Sequence, residues 1–261
     1  RLSGCRCECD VADLIQRCLV AICHNGPVIY THTARSLMEL GWGDRVTRAK
    51  EEHDFAEIAH VWITNFPRVD ALRDSAVTLA RQEGFSHLLF LDADMAWPTD
   101  LLHQMLRHYD RGIVSGLYTL KQAPYAPVAL KDGQVPAGSK VTLYQYDPLS
   151  EEGLIPVDVV GMGCCLIPLA VFDAIGPRPW FEYHLDDAGW PCVTEDVPFC
   201  QRARAAGFSI WLDPTIDCTH WTVQGTDVRW HRRYQDSVKA TEAALRVSAH
   251  VTEAVPIVVE A

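Results

Sequence analysis

The chain has 261 residues and a formal net charge of -11, with 34 acidic against 23 basic side chains, a balance that works against gripping nucleic acid through its phosphates. Hydrophobic residues make up 48%, enough for a folded core, yet no run reaches the roughly eighteen residues of a membrane helix, so no membrane span is expected. Ten cysteines without a visible secretory leader point to reduced thiols and a cytoplasmic setting.

Cys5, Cys7, Cys9 and Cys18 crowd the start, followed by Cys23 and His24. Their spacing is not the paired Cys-x-x-Cys of a structural zinc site, so residues 1–17 read as a tail. LVAIC at 19–23 reads as a buried strand, and THTARSLMEL as a helix after a turn. The polar stretch between Gly41 and Asp54 reads as a loop. IAHVWI at 58–63 predicts a second strand; residues 69–82 predict a helix, with Val69, Leu72, Ala76, Leu79 and Ala80 on one face and Gly84 as its stop.

HLLFLDADMAWPTD at 87–100 follows. An apolar run of this kind suits a strand buried on both faces, and it ends at Asp92 and Asp94, two apart and hence on one face if the strand persists. Parallel sheets collect ligands at the carboxyl ends of their strands. Two carboxylates there call for a cation between them, and a hard divalent ion carrying phosphate oxygens meets that need. The same acids would equally serve to cap the helix expected over 98–109.

GIVSGLY at 112–118 is a further strand, and alternating strand and helix from 19 to 118 predicts a doubly wound parallel sheet. Prolines punctuate 121–156, which reads as antiparallel or irregular, before VDVVGMGCCLIP at 157–168 resumes the apolar pattern with Gly161 and Gly163 inside it. A helix follows at 169–175. Trp180, Phe181, Tyr183 and Trp190 offer either stacking surfaces for a ring or plain packing. Glu195 and Asp196 open a helix ending at Gly207, where acids also complement the helix dipole. FSIWL at 208–212 is the last strand, His220 sits between Thr219 and Trp221, and a helix with Arg229, Arg232 and Arg233 in its first turns closes the chain.

This order of motifs resembles the GT-A glycosyltransferases of the broad family 2 type, over about Leu19 to Trp221. The resemblance rests on the first strand and loop, Arg73 and Asp74 ahead of the acidic pair, FLDADM, VVGMGCCLIP, TEDVPFCQRARAAGF and His220. It implies a GT-A α/β fold with a mostly parallel central sheet and a smaller antiparallel or irregular acceptor region. A nucleotide-sugar-binding half over 18–122, an acceptor-binding and catalytic half over 123–221 and a helical segment over 222–261 would follow. It further implies Asp94, Asp92 and His220 around Mn²⁺ or Mg²⁺, the imidazole tilting the choice to Mn²⁺. Asp92, Arg73, His24 and Gly163 would contact a UDP- or GDP-sugar donor, and Asp196 or Glu195 would be the general base of an inverting transfer. A retaining enzyme would need no base there, and His220 would also serve as a packed core histidine. Asp74 stands where the family more often has Asn. The acceptor, whether glycan, metabolite, protein or modified nucleic-acid base, and the oligomeric state stay open.

A nucleotidyltransferase acting on sugar phosphates is the rival, weakened by the single glycine of CHNGPVIYTH where such enzymes carry a Gly-rich basic loop. A noncatalytic carbohydrate-binding relative would be expected to have lost some of these acids.

Overall fold

A computed structural model describes residues 16–24, 29–40, 44–64, 68–132, 143–145, 153–189, 191–222 and 225–253. Cys5, Cys7, Cys9 and Trp190 lie outside them. The chain enters on β1 (Gln16–Cys23), buried from Cys18 onward, and continues into α1 (Thr31–Glu39). The polar stretch expected to be a loop folds as α2 (Asp44–His53). Ala49 is the one buried side chain among those described there, so no apolar period announces this helix. Next come β2 (Phe55–Ile63) and α3 (Val69–Gln82), which turns Leu72, Ala76, Val77 and Ala80 inward. α3 stops at Gly84, whose φ of 69° suits glycine.

The acidic stretch gives β3 (His87–Asp92) and the two-residue β4 (Met95–Ala96), then α4 (Leu101–Leu106), shorter than expected, and β5 (Ile113–Leu117). Short strands follow: β6 (Ala129–Asp132), β7 (Leu143–Gln145), β8 (Ile155–Val157) and β9 (Val159–Val160). β10 (Cys164–Pro168) runs directly into α5 (Leu169–Ala174). A small pair, β11 (His184–Leu185) and β12 (Pro191–Val193), precedes α6 (Asp196–Ala205). β13 (Ile210–Asp217), β14 (Thr219–Trp221), β15 (Gly225–Thr226) and α7 (Val228–Glu253) complete the chain.

The central sheet has seven strands in the order β2-β1-β3-β10-β5-β13-β8. It is mixed: β10 runs antiparallel to both its neighbours and β8 antiparallel to β13, while the remaining pairs are parallel. The strands of 19–118 in this sheet, β1, β2, β3 and β5, all run one way, as the alternation predicts, and β10 runs against them for a topological reason. The chain leaves β5 at the carboxyl edge, builds the β7-β6-β9 sheet, and re-enters from that edge, so β10 must run back. Parallel pairing would have required a crossover.

Both faces of the sheet are covered. Leu19, Ala21, Leu88 and Phe90 pack under α3, α5 and α6, while Val20, Ile22, Leu89 and Leu91 pack under α1 and α4. A continuous apolar β3 reflects that double burial. Among the described residues no helix is long and apolar enough to cross a membrane.

Candidate active site

The parallel strands β1, β3 and β5 end on one edge, at Cys23, Asp92 and Leu117, and β13 finishes beside Leu117. The register of β1 on β3 sets Cys23 opposite Asp92, which brings His24 to the same edge. His24 is buried, and its backbone N–H donates to the Ile63 carbonyl at 3.0 Å. The strand stops at Asp92, and Ala93 and Asp94 form a turn into β4. The strand alternation that would set both carboxylates on one face therefore ends at Asp92, and each carboxylate has its own cation, Arg73 for Asp92 and Lys121 for Asp94.

Arg73, on the buried face of α3, donates Nε to Glu195 Oε1 at 2.9 Å and Nη2 to Asp92 Oδ2 at 3.3 Å. Burial opposes the charge of this guanidinium, and the two carboxylates hold it cationic all the same. Burial raises the Asp92 pKa, with Arg73 pulling the other way. Asp74, one residue on, points elsewhere: its Oδ1 accepts the backbone N–H groups of Trp180 at 3.0 Å and Phe181 at 3.1 Å. Its part is to anchor that loop.

His220 reaches the pair through a bulge. Between Asp213 and Asp217 the pairing of β13 with β5 shifts register, a device that re-aims strands beside functional sites. Asp213 stitches it, accepting from Thr215 N–H at 2.9 Å and from Arg107 at 2.6 Å, with His108 Nε2 at 2.8 Å. β14 then pairs with β4, setting His220 opposite Met95, while Trp221 N–H donates to the Asp94 carbonyl at 2.7 Å. His220 Nε2 comes to rest 3.6 Å from Asp94 Oδ1. Its Nδ1–H donates to the Thr119 carbonyl at 2.9 Å, so in the neutral ring Nε2 carries the lone pair that faces Asp94.

Lys121, which the sequence reading missed, sets Nζ 2.5 Å from Asp94 Oδ2. Burial pushes the Asp94 carboxyl up, but His220 in its protonated form, donating from Nε2, together with Lys121 outweighs it and holds the pKa down at about 2. Asp92 Oδ1, Asp94 Oδ1 and Arg73 Nη1 are buried and have no hydrogen-bond partner among the described residues, an unusual concentration of unmet polar atoms. Asp94 Oδ1 with His220 Nε2 is a carboxylate and imidazole donor set that suits a first-row divalent cation. Asp92, tied to Arg73, does not close up with them into a three-ligand cluster.

Glu195 and Asp196 divide their labour. Glu195 makes no capping bond to α6 and is held by Arg73. Asp196 accepts the Thr194 hydroxyl at 2.5 Å, and burial together with the Glu195 charge pushes its pKa up to about 6. Tyr183 lies close by; burial first and then Glu195 push its phenol up to about 12. Trp180 and Phe181 are packing residues, Phe181 stacking on Phe199 at 4.6 Å and Trp180 meeting Phe172 edge-on at 5.8 Å.

Gly161 and Gly163 make room for Tyr118. A Cβ on Gly161 would lie 2.1 Å from the Tyr118 oxygen, and Gly163 N–H donates to that oxygen at 3.1 Å. The Gly163 carbonyl in turn accepts Asp92 N–H at 3.1 Å. Of the basic residues opening α7, Arg229 is bound to Asp227 at 2.8 Å and Arg233 lies over Trp230.

No protein-family model matches the chain, and no curated protein sequence is significantly similar to it. Among solved structures, A197 from STIV matches at a TM-score of 0.51 and 16% identity, over 79% of this chain and 86% of that one, a likeness of fold. GalNAc-T7 with UDP, GalNAc and Mn²⁺ gives 0.46 and 11% identity, over 86% of this chain and 48% of that one. UDP-glucose pyrophosphorylase complexed with UDP-glucose gives 0.42 and 11%, over 87% and 99%. What the structure shows is an α/β chain with a seven-stranded, mostly parallel mixed sheet and an acidic, cation-lined site at its carboxyl edge.

Proposed function

We propose that this chain is a metal-dependent glycosyltransferase of the GT-A type, moving a sugar from a nucleoside-diphosphate donor to an acceptor hydroxyl. The observation that carries the reading is the approach of His220 Nε2 to within 3.6 Å of Asp94 Oδ1 with the imidazole tautomer fixed by Thr119. Bound there, Mn²⁺ or Mg²⁺ would supply Lewis-acid stabilisation of the departing diphosphate. Asp94 and His220 are its holders. Asp92 is pinned by Arg73 at 3.3 Å, a placement that suits accepting from donor hydroxyls more than ligating the ion directly. His24 and Gly163 line the same edge.

Lys121 has the flexible stem to turn from Asp94 to a phosphate oxygen once Asp94 is engaged. Asp196 is the better general base of the acid pair: its carboxyl, near 6, is poised to take a proton, while Glu195 is engaged by Arg73. That choice goes with inversion at the anomeric carbon.

Calorimetry with UDP- and GDP-sugars, with and without Mn²⁺, tests the proposal. Donor binding that needs the metal is expected; binding indifferent to it, or none to any nucleotide sugar, counts against the reading. With a panel of acceptors, release of free nucleoside diphosphate marks glycosyl transfer, and release of pyrophosphate marks nucleotidyl transfer instead.

A further inference from the structure

A second group of ligating side chains stands apart from the acidic pair. Glu52 and His53 end α2, His103 lies on α4, and their ligand atoms all fall within 4.8 Å of one another, the one such trio among the described residues. We propose that Glu52, His53 and His103 form a binding site for a borderline-soft divalent cation of the zinc class, clipping α2 to α4.

The spacing is already close to that of a coordination sphere. His53 Nε2 and His103 Nδ1 are 3.1 Å apart, and His103 Nδ1 is 2.6 Å from Glu52 Oε2. Tetrahedral zinc with nitrogen ligands at about 2.0–2.1 Å sets ligand atoms roughly 3.3 Å apart, so small side-chain rotations admit the ion. The side chains of His103 and Glu52 are 40% and 35% exposed, which leaves an entry path. Arg48 engages Oε1 of Glu52 at 2.7 Å, leaving Oε2 turned to His103. Nearby Arg107 is committed to Asp213.

The two imidazole nitrogens and the carboxylate oxygen already converge on one point. Two imidazoles and one carboxylate prefer zinc to magnesium or manganese, and three protein ligands leave a position for water. The clip has a structural use, because α2 packs on the core through little more than Ala49 and Val46 and is tied further by polar contacts such as Arg45 to the Thr99 carbonyl.

The test uses the full chain with Cys5, Cys7 and Cys9 changed to Ser and Asp94→Ala, so that neither thiolates nor the acidic pair compete for metal. Titration with Zn²⁺ by calorimetry, and with Co²⁺ by visible absorption, should show one saturable site. His53→Ala or His103→Ala should weaken it at least tenfold, as loss of a ligand or its support does, and Zn²⁺ should raise Tm in the parent but not in these variants. His53→Gln, which keeps a polar side chain of similar reach, repeats the measurement should an Ala variant misfold. No saturable Zn²⁺ binding, or binding unchanged in the histidine variants, overturns the site.

Discussion

Asp94 is a carboxylate already biased toward its charged form by a lysine and an imidazole, with one buried oxygen left unmet. Asp94→Ala should cost about a thousandfold in kcat, the several kcal/mol that a cation at the leaving group supplies, and should abolish the response to added Mn²⁺; a metal titration of steady-state rates checks both. Asp196 predicts the pH dependence. As a base with a pKa near 6 it must be ionised to act, so kcat/KM should fall below about pH 6, roughly tenfold per unit. Glu195→Gln removes the neighbouring charge that raises Asp196, so the acid limb should move to lower pH; a pH–rate profile of the variant with an unmoved limb would remove Asp196 from the role. Asp92 and Asp94 were legible because they close an apolar run, where burial has to be justified chemically, whereas Glu195 and Asp196, at the start of a helix, were legible only through the order of motifs. Lys121 was not, because nothing in its own surroundings, Leu120 and Gln122, distinguishes it from a solvated lysine until Asp94 is found beside it.

Among the elements, two local devices hold the site's geometry, and both can be broken without touching its chemistry. Gly161 lies under the Tyr118 hydroxyl, where a Cβ would sit 2.1 Å away. Gly161→Ala should destabilise by about 1–3 kcal/mol, the usual cost of overpacking, read by urea unfolding. Asp74 serves two buried backbone N–H groups. Asp74→Ala should cost about 1–3 kcal/mol for each donor left unsatisfied, while Asp74→Asn keeps an acceptor oxygen and should cost much less. Position 74 thus serves the loop it fastens. The elements missed in the sequence share one property. α2 has almost no apolar face, and β4 and β14 are two and three residues long, too short for any periodicity, although their pairing is what delivers His220.

For the whole molecule, the buried carboxylates set the response to acid. Asp94 and Asp213 have folded pKa values below their ordinary 3.8, Asp213 because His108, Thr215 and Arg107 overcome its burial. Their contribution to stability is complete above about pH 4 and is lost as the pH falls toward 2. Asp196 has the opposite sign: its folded pKa of about 6 lies above 3.8, so its protonation favours the native state as pH falls from 6 to 4. Metal-free protein should therefore hold or gain stability between pH 7 and about 4.5 and lose it steeply below 4, which urea midpoints at three pH values will show. The layered α/β architecture was readable from the sequence because strands buried on both faces are continuously apolar. The reversal of β10 was not, since its composition matches that of its parallel neighbours and only the path of the preceding chain fixes its direction.

In the proposed reading one divalent ion is shared between Asp94 and His220. Pulsed EPR of Mn²⁺ bound together with UDP, recorded in a His53→Ala/His103→Ala background, examines that ion directly. Phosphorus coupling from the diphosphate and nitrogen coupling from an imidazole are both expected, with His220→Ala losing the nitrogen signal and keeping the phosphorus. Absence of nitrogen coupling, or its persistence in His220→Ala, would contradict the account.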